Sequence, residues 1–244
     1  MAAQSRLKKR IFIIGHQGLG DHILCSGLYN YQARSASRVY VFVKSNYVKA
    51  VRRLIADEKR VSIIRIPRRK FWIYLKAWKK VLKAFRQEIL LLGFFGQNYL
   101  NAEFRFDENF YLQANVDFSN RWSSFTVRGA SGVDLKNVLG IRDEEYIFLH
   151  EDRSRGYTID RKKLPENIRI IEPLPPSKRW DFFDYIEVIR GATEIHVIES
   201  SFAALVESLG IDHVQKFAHR YARPNAFYDK RYEFTYKSDW KILT

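Results

Sequence analysis

Short apolar runs alternate with longer stretches of helical periodicity through most of this chain, and that alternation limits the fold more than any other feature. The segments Arg10–Ile14, Val39–Val43, Val61–Ile66 and Glu88–Leu92 read as four short buried strands. Between them lie helix candidates at Asp21–Arg34, Ser45–Ala56 and Phe71–Arg86. Strands that are apolar on both faces and joined by helices belong to βαβ units with a parallel sheet. From Gly93 to about Asp143 the alternation fades. Phe94, Phe95, Tyr99, Phe104, Phe106, Phe110 and Tyr111 stand among Asn, Glu and Asp, followed by Gly129, Gly132 and Gly140. This stretch reads as irregular or hairpin-rich structure passing into an interdomain connection.

A second alternation begins at "YIFLH" (Tyr146–His150) and continues through "IRII" (Ile168–Ile171), a helix over Trp180–Arg190, and "EIHVI" (Glu194–Ile198). A helix over Ser200–Leu209 and a strand "HVQKF" (His213–Phe217) complete it, and an aromatic, basic tail starts at Ala218. The expectation is an α/β chain of two small Rossmann-like domains, residues 1–135 and 136–244, facing across a compact cleft.

The 244 residues are 46% hydrophobic and 15% aromatic, enough for packed cores and against wholesale disorder. Cys25 is the one cysteine, so no intramolecular disulfide forms. The basic N-terminus is followed by an apolar run that stops at Gly15, too short for a signal peptide. No stretch approaches the roughly 18 apolar residues of a transmembrane helix. A cytoplasmic protein, or one peripheral at a membrane surface, is expected. The formal charge of +15 speaks of anionic partners rather than of fold.

"GHQGLGDH" (Gly15–His22) follows the first strand, where parallel sheets place their ligands. Gly15, Gly18 and Gly20 let backbone N–H groups come close to an anion, and the helix that follows favours negative charge there. The spacing is G-x-x-G-x-G, not that of a dinucleotide fold, and Lys44 rather than an acid closes the second strand. No Lys-Ser/Thr pair follows the last glycine, which removes a Walker A loop. What remains is a glycine turn carrying Asp21. As an N-cap it would serve the helix; held at the sheet's mouth it would serve as a general base. His16 and His22 flank it as possible phosphate or hydroxyl donors.

"GHQGLGDHILCSGL" resembles the GxGD start of inverting GT-B glycosyltransferases of the heptosyltransferase-like type, glycosyltransferase family 9 among them. In that family the loop presents an aspartate as candidate catalytic base, which the resemblance assigns to Asp21, with His22 beside it. A second match, "DYIEVIRGATEIHVIESSFAALVESLG" (Asp184–Gly210), is similar to the family's donor-side helix, strand and helix. There a polar turn precedes a helix whose N-terminus receives the pyrophosphate of a nucleotide-sugar. Related fucosyltransferase-like sequences carry a Ser-Ser-Phe turn of this sort. The family's D-[ST]-G turn stands here as Glu199-Ser200-Ser201, and the chain is short for a GT-B enzyme. The middle of the chain carries no match.

The donor half can also be read from its residues. Ser200 and Ser201 stand after a strand and open an apolar-faced helix with Phe202, so hydroxyls, free N–H groups and a helix dipole converge on a diphosphate site. Ordinary N-capping accounts for the serines equally simply. Glu199 would accept from ribose or sugar hydroxyls, or favour the helix N-terminus. His150, Arg153 and Arg155 follow the first strand of this half and would neutralise a departing diphosphate, unless they form a solvated charged loop. Gly18 and Gly20 complete the candidate donor contacts. No acidic pair follows a strand, so neither a metal nor another cofactor is expected, the nucleotide-sugar being a substrate.

In Pro67–Gln87 the residues Phe71, Leu75, Trp78, Leu82 and Phe85 form one helical stripe. Arg68, Arg69, Lys76, Lys79, Lys80 and Lys83 occupy the remaining surface. That is a sheet-packed helix with a basic outer face, which would also suit an acidic membrane surface or an anionic glycan or glycolipid acceptor. Two other functions compete with glycosyl transfer: a nucleic-acid-binding module and a catalytically inactive scaffold for a glycan or partner. No RRM, KH or zinc signature supports the former, and no specific nucleic acid is expected.

Overall fold

The computed structural model describes residues 9–15, 18–67, 87–93, 100–129, 132–175, 177–223 and 230–244. The helix expected over Phe71–Arg86, His16, and the basic residues Arg68, Arg69, Lys76, Lys79, Lys80 and Lys83 lie outside them. The chain divides into two compact units, residues 1–100 with 108–128, and residues 101–107 with 129–244.

In the first unit the elements are β1 (Arg10–Gly15), α1 (Leu19–Ser35), β2 (Arg38–Lys44), α2 (Val48–Leu54), β3 (Val61–Ile66) and β4 (Gln87–Leu92). The four strands are parallel in the order β3-β2-β1-β4. Strand periodicity sorts their side chains. Phe12, Ile14, Phe42 and Ile66 form one cluster with Tyr40, Ile64 and Ile89 packed on it, and the Phe12 and Tyr40 rings stack at 4.7 Å. Alternate residues such as Ile11, Ile13, Val39 and Val41 are equally buried. A strand buried on both faces explains why these segments read as unbroken apolar runs.

Two further helices follow, α3 (Phe106–Gln113) and α4 (Asn120–Ser123). The second unit then contains α5 (Leu135–Val138), β5 (Tyr146–His150), β6 (Arg169–Ile171), α6 (Ile186–Arg190), β7 (Glu194–Val197), α7 (Ser201–Leu209), β8 (Gln215–His219) and β9 (Trp240–Leu243). Its five strands are also parallel, in the order β6-β5-β7-β8-β9. The α/β class with parallel sheets is therefore the observed one.

Several local expectations are corrected. The described part of Gly93–Asp143 holds the helices α3, α4 and α5 and no hairpin. Its aromatics serve a helical core, with Phe110 and Tyr111 fully buried and Phe118 edge-on to both Tyr111 and Trp122. The second helix is confined to Val48–Leu54, because Ser45 is still tied to the sheet through N–H and hydroxyl donors to the Ile66 carbonyl. The expected Trp180–Arg190 helix opens as a 3-10 turn, Phe182–Tyr185, capped by Asp181 and Asp184. The "HVQKF" strand runs two residues later, through His219, in register with β7. His213 is left to the Arg190 carbonyl. The C-terminal tail supplies a whole strand, β9.

Candidate functional site

In each sheet the strand order reverses once: between β1 and β4 in the first unit, between β5 and β7 in the second. Parallel α/β sheets bind ligands at such switch points, outside the carboxyl ends of the strands. Gly18–Asp21 follows β1, His150 ends β5 and Glu199–Ser200 follows β7.

The first turn of α1 is built by its own sequence. Gly18 is the N-cap in extended backbone, and Asp21 stands at the third helical position. The Gly18 N–H donates to Asp21 Oδ2 at 2.9 Å, the acidic half of a capping box. A Cβ at position 18 would stand 2.8 Å from that carboxylate oxygen, so a larger residue there would turn the Asp21 side chain out of its capping position. Asp21 is thus a helix cap, one turn further in than an N-cap, and remains partly exposed. Gly20 lies within the same turn. His22 points inward: it is 1% exposed, its Nδ1 is 3.1 Å from the Tyr29 hydroxyl, and burial with Lys44 nearby lowers its pKa to about 4. It is a neutral core histidine, not a donor at the surface of the site.

In the second unit, Ser200 Oγ accepts the Phe202 N–H at 3.2 Å and lies 3.1 Å from His150 Nδ1. In the tautomer with the proton on Nε2, the hydroxyl donates to Nδ1 while it accepts the amide, and Nε2–H is left as a donor. Burial holds the His150 pKa down to about 4, so the ring is neutral at physiological pH. The Ser200–His150 bond spans the β5/β7 switch point, and Ser201 begins the nine-residue α7 beside it.

The other candidates are placed differently from expectation. Phe202 is buried under the turn, its ring 4.7 Å from His150, 4.4 Å from Phe182 and 5.2 Å from Phe148. It supports the site and does not line it. Arg153 and Arg155 form the solvated charged loop: Arg153 pairs with Glu151 and Glu172, and Arg155 with Asp152. Glu199 is wholly buried and accepts from the Phe234 N–H and Arg220 at 3.3 Å each and from the Tyr236 hydroxyl at 3.5 Å. Burial raises its pKa, and the neighbouring arginines and the Phe234 amide only partly offset this.

Residues after β8 were missed from sequence. Arg220 and Arg223 both bind Glu199, Arg223 through its carbonyl. A polarised chain lies beneath them. The Tyr221 hydroxyl donates to His219 Nδ1 (3.0 Å), His219 Nε2–H donates to His196 Nδ1 (2.9 Å), and His196 Nε2–H donates to Glu194 (2.8 Å). The carboxylate at its far end fixes this direction, because it can only accept. Two arginines within four residues of a strand's carboxyl end were the available signal. Among the described residues, no group of three or more His, Cys, Asp or Glu is arranged to hold a metal.

This fold has counterparts among solved glycosyltransferase structures. Over 87% of this chain and 80% of the other, the structure is similar to the glycosyl transferase family 9 protein of Veillonella parvula DSM 2008, with 11% identity and a TM-score of 0.54. It is also similar to TibC, an iron-containing dodecameric glycosyltransferase of enterotoxigenic E. coli H10407, over 95% of this chain with 14% identity and a TM-score of 0.50. A second TibC structure, a heptosyltransferase complex with ADP-D-beta-D-heptose, gives 11% identity and 0.52. The chain spans 62% of the length of TibC. No protein-family model matches the chain, and no curated protein does. At these identities the likeness establishes the fold.

Proposed function

We propose that the chain is a glycosyltransferase that moves a sugar from a nucleotide-sugar to a hydroxyl of a glycan or glycolipid, inverting and without a divalent ion. The residue 1–135 half would hold the acceptor and the 136–244 half the donor. The observation that carries this reading is the Ser200–His150 hydrogen bond across the β5/β7 switch point, at the N-terminus of α7. A diphosphate would accept there from the helix N–H groups, the Ser201 hydroxyl and His150 Nε2–H, with Arg220 and Arg223 behind the turn. Asp21 would take the proton of the acceptor hydroxyl as that oxygen bonds to the sugar's C1 and the diphosphate leaves with its bonding electron pair. A single in-line displacement inverts the configuration. The helix end and the arginines would carry the leaving-group charge. The protein would work in the cytoplasm, peripheral at a membrane, in the assembly of glycolipid or polysaccharide. Among the described residues no helix is long and apolar enough to cross one.

A thermal-shift screen against UDP-, GDP-, ADP-, CMP- and dTDP-sugars tests the donor assignment. A ligand at about 100 times its dissociation constant adds roughly 2.7 kcal/mol to the folded state. With the donor found, Asp21→Asn should retain the shift while transfer falls by about a thousandfold or more, the scale of a lost general base. Transfer retained by the variant removes Asp21 from the chemistry. No shift with any donor removes the function.

A further inference from the structure

The formal charge is divided unequally between the two units. The first carries 23 Lys and Arg against 6 Asp and Glu, a balance of +17; the second carries 19 against 21, a balance of −2. Within the first unit most of the described cations stand at the amino edge of the sheet, the end opposite Asp21, while Lys44, Lys49 and Arg65 lie towards the carboxyl end. Arg10 opens β1 and Arg38 opens β2, and the two are direct register partners. Arg60 immediately precedes Val61, the partner of Val39, and its carbonyl accepts the Val39 N–H at 2.9 Å, so it extends the row onto a third strand.

Like charges placed opposite one another on neighbouring strands destabilise a sheet. Arg10 and Arg38 are both exposed, and Arg60 is half-buried against Glu58. Helices that run antiparallel to the strands bring their last turns to this same edge. Arg34 ends α1, and Arg52 and Arg53 end α2. Those three complement the helix dipoles; the strand-opening row has no such cause. Arg128 joins the cluster by donating its N–H to the Arg53 carbonyl, and Lys59 is exposed beside Arg60. The acidic side chains paired here are Asp57 with Arg128, Glu58 with Arg60 and Glu88 with Lys9.

We propose that the amino edge of the first sheet docks on an anionic lipid bilayer, with Arg10, Arg38 and Arg60 as its centre. Arginine forks match phosphate oxygens in pairs. A row repeating at the strand spacing of about 4.8 Å, with further arginines around it, meets a plane of headgroups at many points at once. A nucleic-acid strand would also need rings to stack on. Of the aromatic side chains among the described residues of this edge, Tyr31 is the exposed one, and it lies under Arg34 at 5.8 Å. Docked in this way, the strands hold Asp21 away from the bilayer by about 20 Å, at about 3.3 Å per residue over the six residues of β1. On the proposed function, the acceptor hydroxyl then belongs to an extended glycan head and not to a bare lipid.

Co-sedimentation of the full chain with vesicles tests the docking without any sugar transfer, so its failure leaves the glycosyltransferase reading standing. Phosphatidylcholine vesicles with about 30% phosphatidylglycerol should bind the protein at low salt and release it at about 0.5 M NaCl; pure phosphatidylcholine should not bind. Arg10→Gln/Arg38→Gln/Arg60→Gln should lower partitioning about tenfold or more, with a melting temperature within a few degrees of wild type, because the repulsion it removes offsets the lost Arg60–Glu58 pair and Arg38–Ser62 bond. Arg142→Gln/Lys178→Gln/Arg179→Gln removes equal charge from exposed positions of the second unit and should change partitioning by less than about twofold. Equal losses in both triple variants, binding to pure phosphatidylcholine, or no vesicle binding would overturn the proposal. Tighter binding of poly(U) RNA than of vesicles through the same three arginines would overturn it in favour of nucleic acid.

Discussion

Ser200 does two things with one oxygen, and both can be measured. Its Oγ caps α7 through the Phe202 N–H and satisfies His150 Nδ1. Ser200→Ala removes the cap, worth about 1 kcal/mol, and leaves a half-buried imidazole nitrogen without its hydrogen bond, worth about another. The melting transition of the second unit should fall by several degrees, and nucleotide-sugar affinity by about tenfold as the turn and the His150 ring that present the phosphate donors lose their anchor. Ser200→Thr keeps the hydroxyl and should recover most of both. Wild-type stability in the alanine variant would mean that this oxygen does not hold the turn. Glu199 next to it illustrates a different logic. A carboxylate that burial pushes towards its neutral form stays in place because Arg220, the Phe234 amide and Tyr236 converge on it. Truncating it would leave Arg220, only 15% exposed, with Glu233 at 3.4 Å as its remaining carboxylate, and the Phe234 amide without an acceptor.

At the scale of elements, one glycine sets how closely two helices of the first unit pack. Gly27 lies in the middle of α1, where alanine is ordinarily better by about 1 kcal/mol. Here a Cβ would stand 2.1 Å from the Asn120 carbonyl oxygen of α4. Asn30 secures the same contact by donating to the Ser124 carbonyl at 3.0 Å. Overpacking of this kind costs about 1–3 kcal/mol, so Gly27→Ala should destabilise the first unit in calorimetry despite its better helix propensity. A stabilised variant would show that α4 can move aside. This contact also marks the limit of what could be read from sequence. The strands of both sheets other than β9, together with α1 and α7, were legible because burial on both faces, or on one helical stripe, leaves a periodic trace. The helices of the middle region and β9 were not. Strand β9 is four residues long, and its position depends on distant buried carboxylates. Glu207 accepts from the Lys237 N–H, the Ser238 hydroxyl and Trp240 Nε1, all at 2.8 Å, and Asp107 accepts from Thr235 N–H and hydroxyl. Those partners lie about 30 and 128 residues apart along the chain, beyond the reach of any local pattern. At the site, the position of Ser200 followed from helix-start chemistry, whereas the burial of His22, Glu199 and Phe202 came from tertiary packing.

For the whole molecule, the histidines decide how folding responds to acid. Burial lowers the pKa of His22 and His150 to about 4 and that of His219 to about 3, where His196, Lys163 and Arg161 also oppose a further positive charge. His196 shifts in the same direction despite its bond to Glu194. In the unfolded chain each titrates near 6.5. Below that pH the unfolded state binds protons that the folded state refuses, so stability falls as pH falls. The loss begins near pH 6.5 and continues to about pH 4 for His22 and His150, and to about pH 3 for His219. Glu199 works the other way, since its raised pKa favours the folded state on acidification, but only as pH approaches its own titration. Glu151, held below its usual range by the Ile159 N–H and by arginines, Asp152, held down by Ser154 and Arg155, and Glu144, held down by Arg169, add to acid lability from about pH 4.5 downward. Each pKa unit corresponds to about 1.4 kcal/mol, so the imidazoles together reach the scale of a domain's whole stability of about 5–15 kcal/mol. Melting temperatures should be level between pH 7 and 8 and fall steadily from pH 6.5 to pH 5, a range in which ordinary carboxylates do not titrate. Because His22 lies in one unit and His150, His196 and His219 in the other, both calorimetric transitions should move. His219→Gln should flatten the slope of the second transition alone. A melting temperature that holds or rises between pH 6.5 and 5 would show that these rings accept protons in the folded state, and the neutral chain from Tyr221 to Glu194 would then be wrongly drawn.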